Sequence, residues 1–64
     1  MKLDRDKIDI AMSKKRNTVA QLAKEYGVSR SRMNIILNSQ TVTPVTAGRL
    51  AEALRCDVTE IIED

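Results

Sequence analysis

The sequence predicts an all-α domain of five short helices, and three observations carry that prediction. Apolar residues recur at i, i+3 and i+4 along the chain, the spacing that gathers them on one stripe of a helix. Short polar turns separate the stripes, and their Ser, Thr, Asp and Gly residues are those that start and stop helices. The stretch Thr18 to Asn38 then reads as two short helices joined by a tight turn, with a second, polar face left over.

Residues 4–15 form the first predicted helix, with Ile8, Ala11 and Met12 facing inward. Lys14, Lys15 and Arg16 close it at the end where cations favour the helix dipole. The same basic triplet immediately precedes the start of the second helix, where backbone N–H groups favour a phosphate. Thr18 caps that second helix, and Val19, Leu22, Ala23 and Tyr26 form its apolar stripe at i, i+3, i+4 and i+7. Gly27 stops it, because a glycine just past the last periodic residue takes a positive φ without a Cβ penalty. Val28 turns back inward, Ser29 caps the third helix, and Met33, Ile36 and Leu37 give it an inward stripe facing the second. The polar segment from Asn38 to Thr43 is expected as a surface loop. Thr43 followed by Pro44 is a cap followed by proline at the first helical position, opening a fourth helix with Ala47, Leu50, Ala51 and Leu54 at core spacing. That helix should stop near Arg55. Asp57 and Glu60 form a capping-box pattern for a fifth helix, whose Val58, Ile61 and Ile62 close the core. Cys56 is expected to be a buried small hydrophobe and not a reactive thiol.

On a wheel of about 100° per residue, the third helix has a second face. Ser31, Asn34, Ile35 and Asn38 lie opposite its inward stripe, flanked by Arg30 and Arg32. Arg, Ser and Asn hydrogen-bond to phosphates or base edges, and Ile35 stands where burial in the core is geometrically disfavoured. A solvated helix face would explain the polar residues but not Ile35. A major groove suits both, since Arg bonds guanine, Asn bonds adenine and an aliphatic group meets the thymine methyl.

Sixty-four residues, 42% of them hydrophobic, support a single domain over 1–64 with one small core. At this length a domain buries only about 60% of its unfolded surface, so modest stability is expected. One Cys and no His exclude an intrachain disulfide, a zinc site and a Ser-His or Cys-His nucleophile pair. With no Gly-rich phosphate loop and no paired buried carboxylates, the chain is expected to be no enzyme and to carry no cofactor or metal. The acids near the C-terminus are spaced for capping rather than metal ligation. No apolar run approaches the roughly 18 residues of a membrane span, the N-terminus is charged rather than signal-like, and a reducing cytoplasm is the expected compartment.

The net charge of +2 is unevenly placed. Lys14, Lys15, Arg16, Lys24, Arg30, Arg32 and Arg49 face only Glu25 across residues 14–49, leaving +6 there. Residues 50–64 set Arg55 against Glu52, Asp57, Glu60, Glu63 and Asp64, leaving −4. A polyanion is therefore steered towards the middle of the chain and away from its C-terminal end.

The segments QLAKEYGVSRSRMNIIL, TPVTAGRLAEAL and CDVTEII together resemble the phage repressor and Cro family of helix-turn-helix domains over roughly residues 5–63. The spacing resembles it too: Ala23 stands four before Gly27, and Met33 and Ile36 six and nine after it, as that family packs across its turn. The resemblance implies a compact five-helix domain whose second and third helices form the motif, about residues 18–38. It also implies sequence-specific binding of double-stranded DNA by a transcriptional regulator, expected to be a repressor. Arg30, Ser31, Asn34 and Ile35 are then the base readers. Lys14, Lys15, Arg16, Thr18, Ser29, Arg32, Asn38, Gln40 and Thr41 are the phosphate contacts. The competing class is a protein-interaction regulator on the same fold, antirepressor or antitoxin-like, docking a protein on the Ile35 face.

Two positions depart from the family pattern. Many members pair an Arg in the first helix with a Glu at the end of the third; the matching residues here are Met12 and Leu37, read as an apolar contact replacing an ion pair. Asn17 stands where an apolar residue often staples the start of the second helix, leaving that loop more polar. The family commonly binds as a two-fold dimer. With no separate dimerisation domain expected, the candidate contact is a small patch around Val45 and Ile61, giving a weak homodimer, or a dimer formed on DNA.

Overall fold

In the computed structural model, which describes residues 1–63, four α-helices are followed by one 3₁₀ turn. They are α1 (Arg5–Lys15), α2 (Val19–Tyr26), α3 (Arg30–Asn38), α4 (Pro44–Leu54) and the turn Val58–Glu60. The helices begin where side-chain oxygens are ready to accept the first unpaired N–H groups. Thr18, Ser29 and Thr43 sit in extended backbone and accept the N–H of Gln21, Arg32 and Thr46. Asp4 does the same for Lys7, so α1 starts one residue after the expected 4–15 span, with Asp4 as its cap. Gln21 returns the bond to the Thr18 N–H, completing a capping box at α2.

Gly27 ends α2 at φ +95°, and a Cβ built there would meet nothing within 4 Å. Its glycine is thus required by backbone conformation and not by close packing. The Gly27 and Val28 N–H groups both close on the Ala23 carbonyl, so the chain turns at once into α3. α2 packs against α3 and α4, while α1 packs against α4 and the 3₁₀ turn. Ile8, Leu22, Met33, Leu50, Leu54 and Ile61 are fully enclosed at the centre, and no polar or charged side chain is buried among the described residues. Met12 and Leu37, 8% and 3% exposed, belong to the same core cluster, as an apolar pair in place of an ion pair requires.

Three expectations are corrected. The fifth helix is a single 3₁₀ turn, although its capping box forms: Glu60 accepts the Asp57 N–H and Asp57 the Thr59 N–H. The helix does not continue because the next residues pair elsewhere. The Ile61 carbonyl accepts the Asp4 N–H, and the Glu63 N–H goes to the Lys2 carbonyl. Ile61 is fully buried and is withdrawn from the candidate self-association patch; Val45, 74% exposed, remains. Cys56 and Ala11 are half-buried, packed against the core rather than inside it.

No strand occurs among the described residues, but residues 1–3 are ordered in a way that helical periodicity does not announce. Lys2 and Thr41, and Leu3 and Ile62, form isolated antiparallel bridges. Leu3 is 7% exposed and joins the core.

Candidate nucleic-acid interface

α3 is amphipathic in a way that separates packing from presentation. Met33, Ile36 and Leu37 are buried, whereas Arg30, Ser31, Arg32, Asn34, Ile35 and Asn38 are all exposed. Ile35 is 57% exposed at the centre of that polar face. The four expected base readers therefore share one solvent-facing surface of one rigid helix, with donors, an acceptor-capable amide and an apolar group side by side.

The expected phosphate contacts are distributed around it. Ser29 and Thr18 each use their hydroxyl oxygen as a cap, accepting from Arg32 N at 3.1 Å and Gln21 N at 3.2 Å. Each hydroxyl hydrogen is left to donate, at a helix start where backbone N–H groups also point outward. Gln40 and Thr41 are exposed in the loop after α3. That loop is pinned by residues 1–3: Leu3 N–H donates to the Gln40 carbonyl, Val42 N–H to the Met1 carbonyl, and the Met1 amine to the Val42 carbonyl. Lys14, Lys15 and Arg16 are exposed at the end of α1, with Arg16 as a left-handed cap at φ 54°. Lys14 and Lys15 line a cleft of about 240 Å³ with Ile10, Leu54, Arg55, Cys56 and Glu60, a surface to which α3 contributes nothing.

Arg49 adds to the turn between α2 and α3. Its guanidinium lies 4.4 Å from the Tyr26 ring centroid, and its Nη2 donates to the Tyr26 carbonyl at 3.3 Å. This fastens α4 to the last residue of α2. Burial, then the nearby Glu60 and Asp57 carboxylates, push the Cys56 thiol up, against the opposing Lys15 charge. The protonated thiol is a poor nucleophile.

The sequence reading gave no role to Arg5, which lies in residues 1–13, where Lys2, Arg5 and Lys7 are balanced by Asp4, Asp6 and Asp9. Arg5 Nε donates to Asp9 Oδ1 at 3.0 Å and Nη1 to Asn38 Oδ1 at 3.2 Å. The i,i+4 spacing of Arg5 and Asp9 was visible, but the link from Arg5 to Asn38, 33 positions away, was not.

No helix among the described residues is long and apolar enough to cross a membrane. The family profile described as Cro/C1-type HTH DNA-binding domain matches residues 7–64. Neither the curated proteins nor the solved structures compared with the chain gave a match. Together with four capped helices and no strand among the described residues, the match over nearly the whole chain means that it belongs to the Cro/C1-type HTH DNA-binding domain family, whose function is to bind DNA.

Proposed function

We propose that this protein is a sequence-specific regulator of transcription, acting as a repressor in the cytoplasm, with α2 and α3 as its helix-turn-helix and α3 in the major groove. The observation that carries the reading is Ile35, more than half exposed at the centre of a face otherwise made of Arg, Ser and Asn. An exposed aliphatic side chain gains nothing from water, but it gains contact from a thymine methyl. Arg30, Ser31, Asn34 and Ile35 read bases. Thr18, Ser29, Arg32, Asn38, Gln40 and Thr41 hold phosphates, with Lys14, Lys15 and Arg16 adding charge at the start of α2. Two copies occupy half-sites about one helical turn apart, with Val45 at the start of α4 as the exposed apolar group available between them.

Selection of duplexes from a random pool, followed by titrations at several salt concentrations, tests this. Affinity for the recovered duplex should fall steeply as salt rises. Arg30→Ala should cost about 1–3 kcal/mol on that duplex and relax the preference at one base position. Equal weakening on all duplexes would move Arg30 to the phosphate group. A salt-insensitive protein complex with no duplex binding would instead favour the protein-docking class. Sedimentation with and without a palindromic duplex tests the dimer, which tight monomeric binding to one half-site would remove.

A further inference from the structure

We propose that Arg5 is a positioning residue for the DNA backbone contact made by Asn38: it fixes the Asn38 carboxamide with its two N–H groups turned outward. This rests on the DNA-binding reading of α3 above.

Asn38 is the last residue of α3, exposed and close to Asn34 and Ile35 on the helix surface. An Asn carboxamide has one accepting and one donating end, and in an exposed side chain it turns freely between them. Arg5 removes that freedom. A guanidinium has donors only, so a contact with Asn38 at 3.2 Å selects Oδ1 and leaves Nδ2 for another acceptor. The guanidinium is itself held, since Nε donates to Asp9 Oδ1 at 3.0 Å. Asp9 also balances its charge, so Arg5 contributes to a phosphate contact chiefly through the orientation of its neighbour.

The surroundings are built to the same end. Ser39 Oγ donates to the Ile35 carbonyl at 2.8 Å, closing the end of α3 beside Asn38. The following loop is bound by the segment that leads into Arg5, through Leu3 N–H to the Gln40 carbonyl and Val42 N–H to the Met1 carbonyl. One N-terminal segment thus sets both the Asn38 amide and the backbone carrying Gln40 and Thr41. Arg5 adds little to the fold itself, because it is an exposed ion pair and its partners are exposed.

The test has two independent parts. In the protein without DNA, the Asn38 side-chain amide is followed by NMR in the wild type, in Arg5→Ala and in Arg5→Met, which keeps the aliphatic stem. The wild-type amide should be ordered and both variants should show free rotation; an equally mobile amide in all three would overturn the proposal. On the duplex recovered by the wild type, Asn38→Ala should weaken binding about tenfold or more, the worth of a hydrogen bond to a charged group. Arg5→Ala and Arg5→Met should weaken it several-fold with unchanged melting behaviour, and Arg5→Ala combined with Asn38→Ala should bind no worse than Asn38→Ala alone. Losses that multiply, with the salt slope falling by about 1, would mean that Arg5 meets a phosphate directly and would overturn the positioning role. Failure of the wild type to bind any duplex would remove the DNA reading, while the amide measurement would still decide whether Arg5 orients Asn38.

Discussion

Arg16, Gly27 and Arg55 end α1, α2 and α4 with positive φ, yet only one of the three is glycine. At all three, N–H groups just past the helix close on its last carbonyls, which is why the left-handed residue is needed. A non-glycine residue there costs about 1–2 kcal/mol, and glycine returns about 0.4–1 kcal/mol of that through a looser unfolded chain. Arg55→Gly should therefore stabilise the domain by roughly 0.5–1 kcal/mol, seen as a rise of a few degrees in Tm. Gly27→Ala should destabilise by about 1 kcal/mol in the same melts, and Gly27→Asn by less, because Asn tolerates that conformation. Asp57 offers a second test. The Thr59 N–H and then the Thr59 hydroxyl, at 2.9 and 2.8 Å, hold its carboxyl below the usual carboxylate range. A carboxyl depressed in the folded state adds stability above its unfolded value, and loses it as pH falls through the folded value. Asp57→Asn should flatten that acid limb in urea titrations carried out as a function of pH.

The helices owe their positions to caps more than to propensity. Thr18, Ser29 and Thr43 were each legible as a polar residue directly before an apolar stripe, and each accepts the N–H three residues on. The same local signal at Asp57 to Glu60 led to an expected fifth helix, and there it was overridden. A capping box starts a turn, but continuing it needs the following N–H and carbonyl groups, and those are spent on residues 2 and 4. α4 carries one element-scale cost within its span. Gly48 is exposed in its interior, and a Cβ there would meet nothing within 4 Å. Gly48→Ala should raise stability by roughly 0.5–1 kcal/mol through backbone entropy alone, as chemical denaturation would measure.

For the whole molecule, the core stripe and the exposed polar face are two sides of one helix, so α3 cannot be placed for one without the other. Its inward residues Met33, Ile36 and Leu37 share a cluster with Ile8 and Met12 of α1 and Leu50 and Leu54 of α4. Met12→Ala should cost about 2–5 kcal/mol, a large part of the stability of so small a domain, and should appear as a low denaturation midpoint. The charge is arranged along the same division. The +6 of residues 14–49 surrounds the α2–α3 pair, and the −4 of residues 50–64 falls on the later part of the chain. Charge alone therefore favours the approach of a polyanion to residues 14–49 over residues 50–64.

Spacing along the chain already announced α1 to α4, the caps at Thr18, Ser29 and Thr43, the Gly27 turn and the outward face of α3, but not the caps at Asp4, Arg16 and Arg55. The announced features follow from spacing within a few residues, where periodicity and capping act directly. Only the folded chain decides what residues 1–3 do, how residues 61–63 pair, and which group holds Asn38. Leu3 enters the core, Ile61 fills the core place its spacing announced and so is lost to the self-association patch, and Arg5 reaches Asn38 only because the folded chain brings residues 1–5 against the end of α3 and against residues 61–63. Pairings between positions so far apart in sequence have no period to read. Their free energy comes from hydrogen bonds and burial that exist only once the helices have packed.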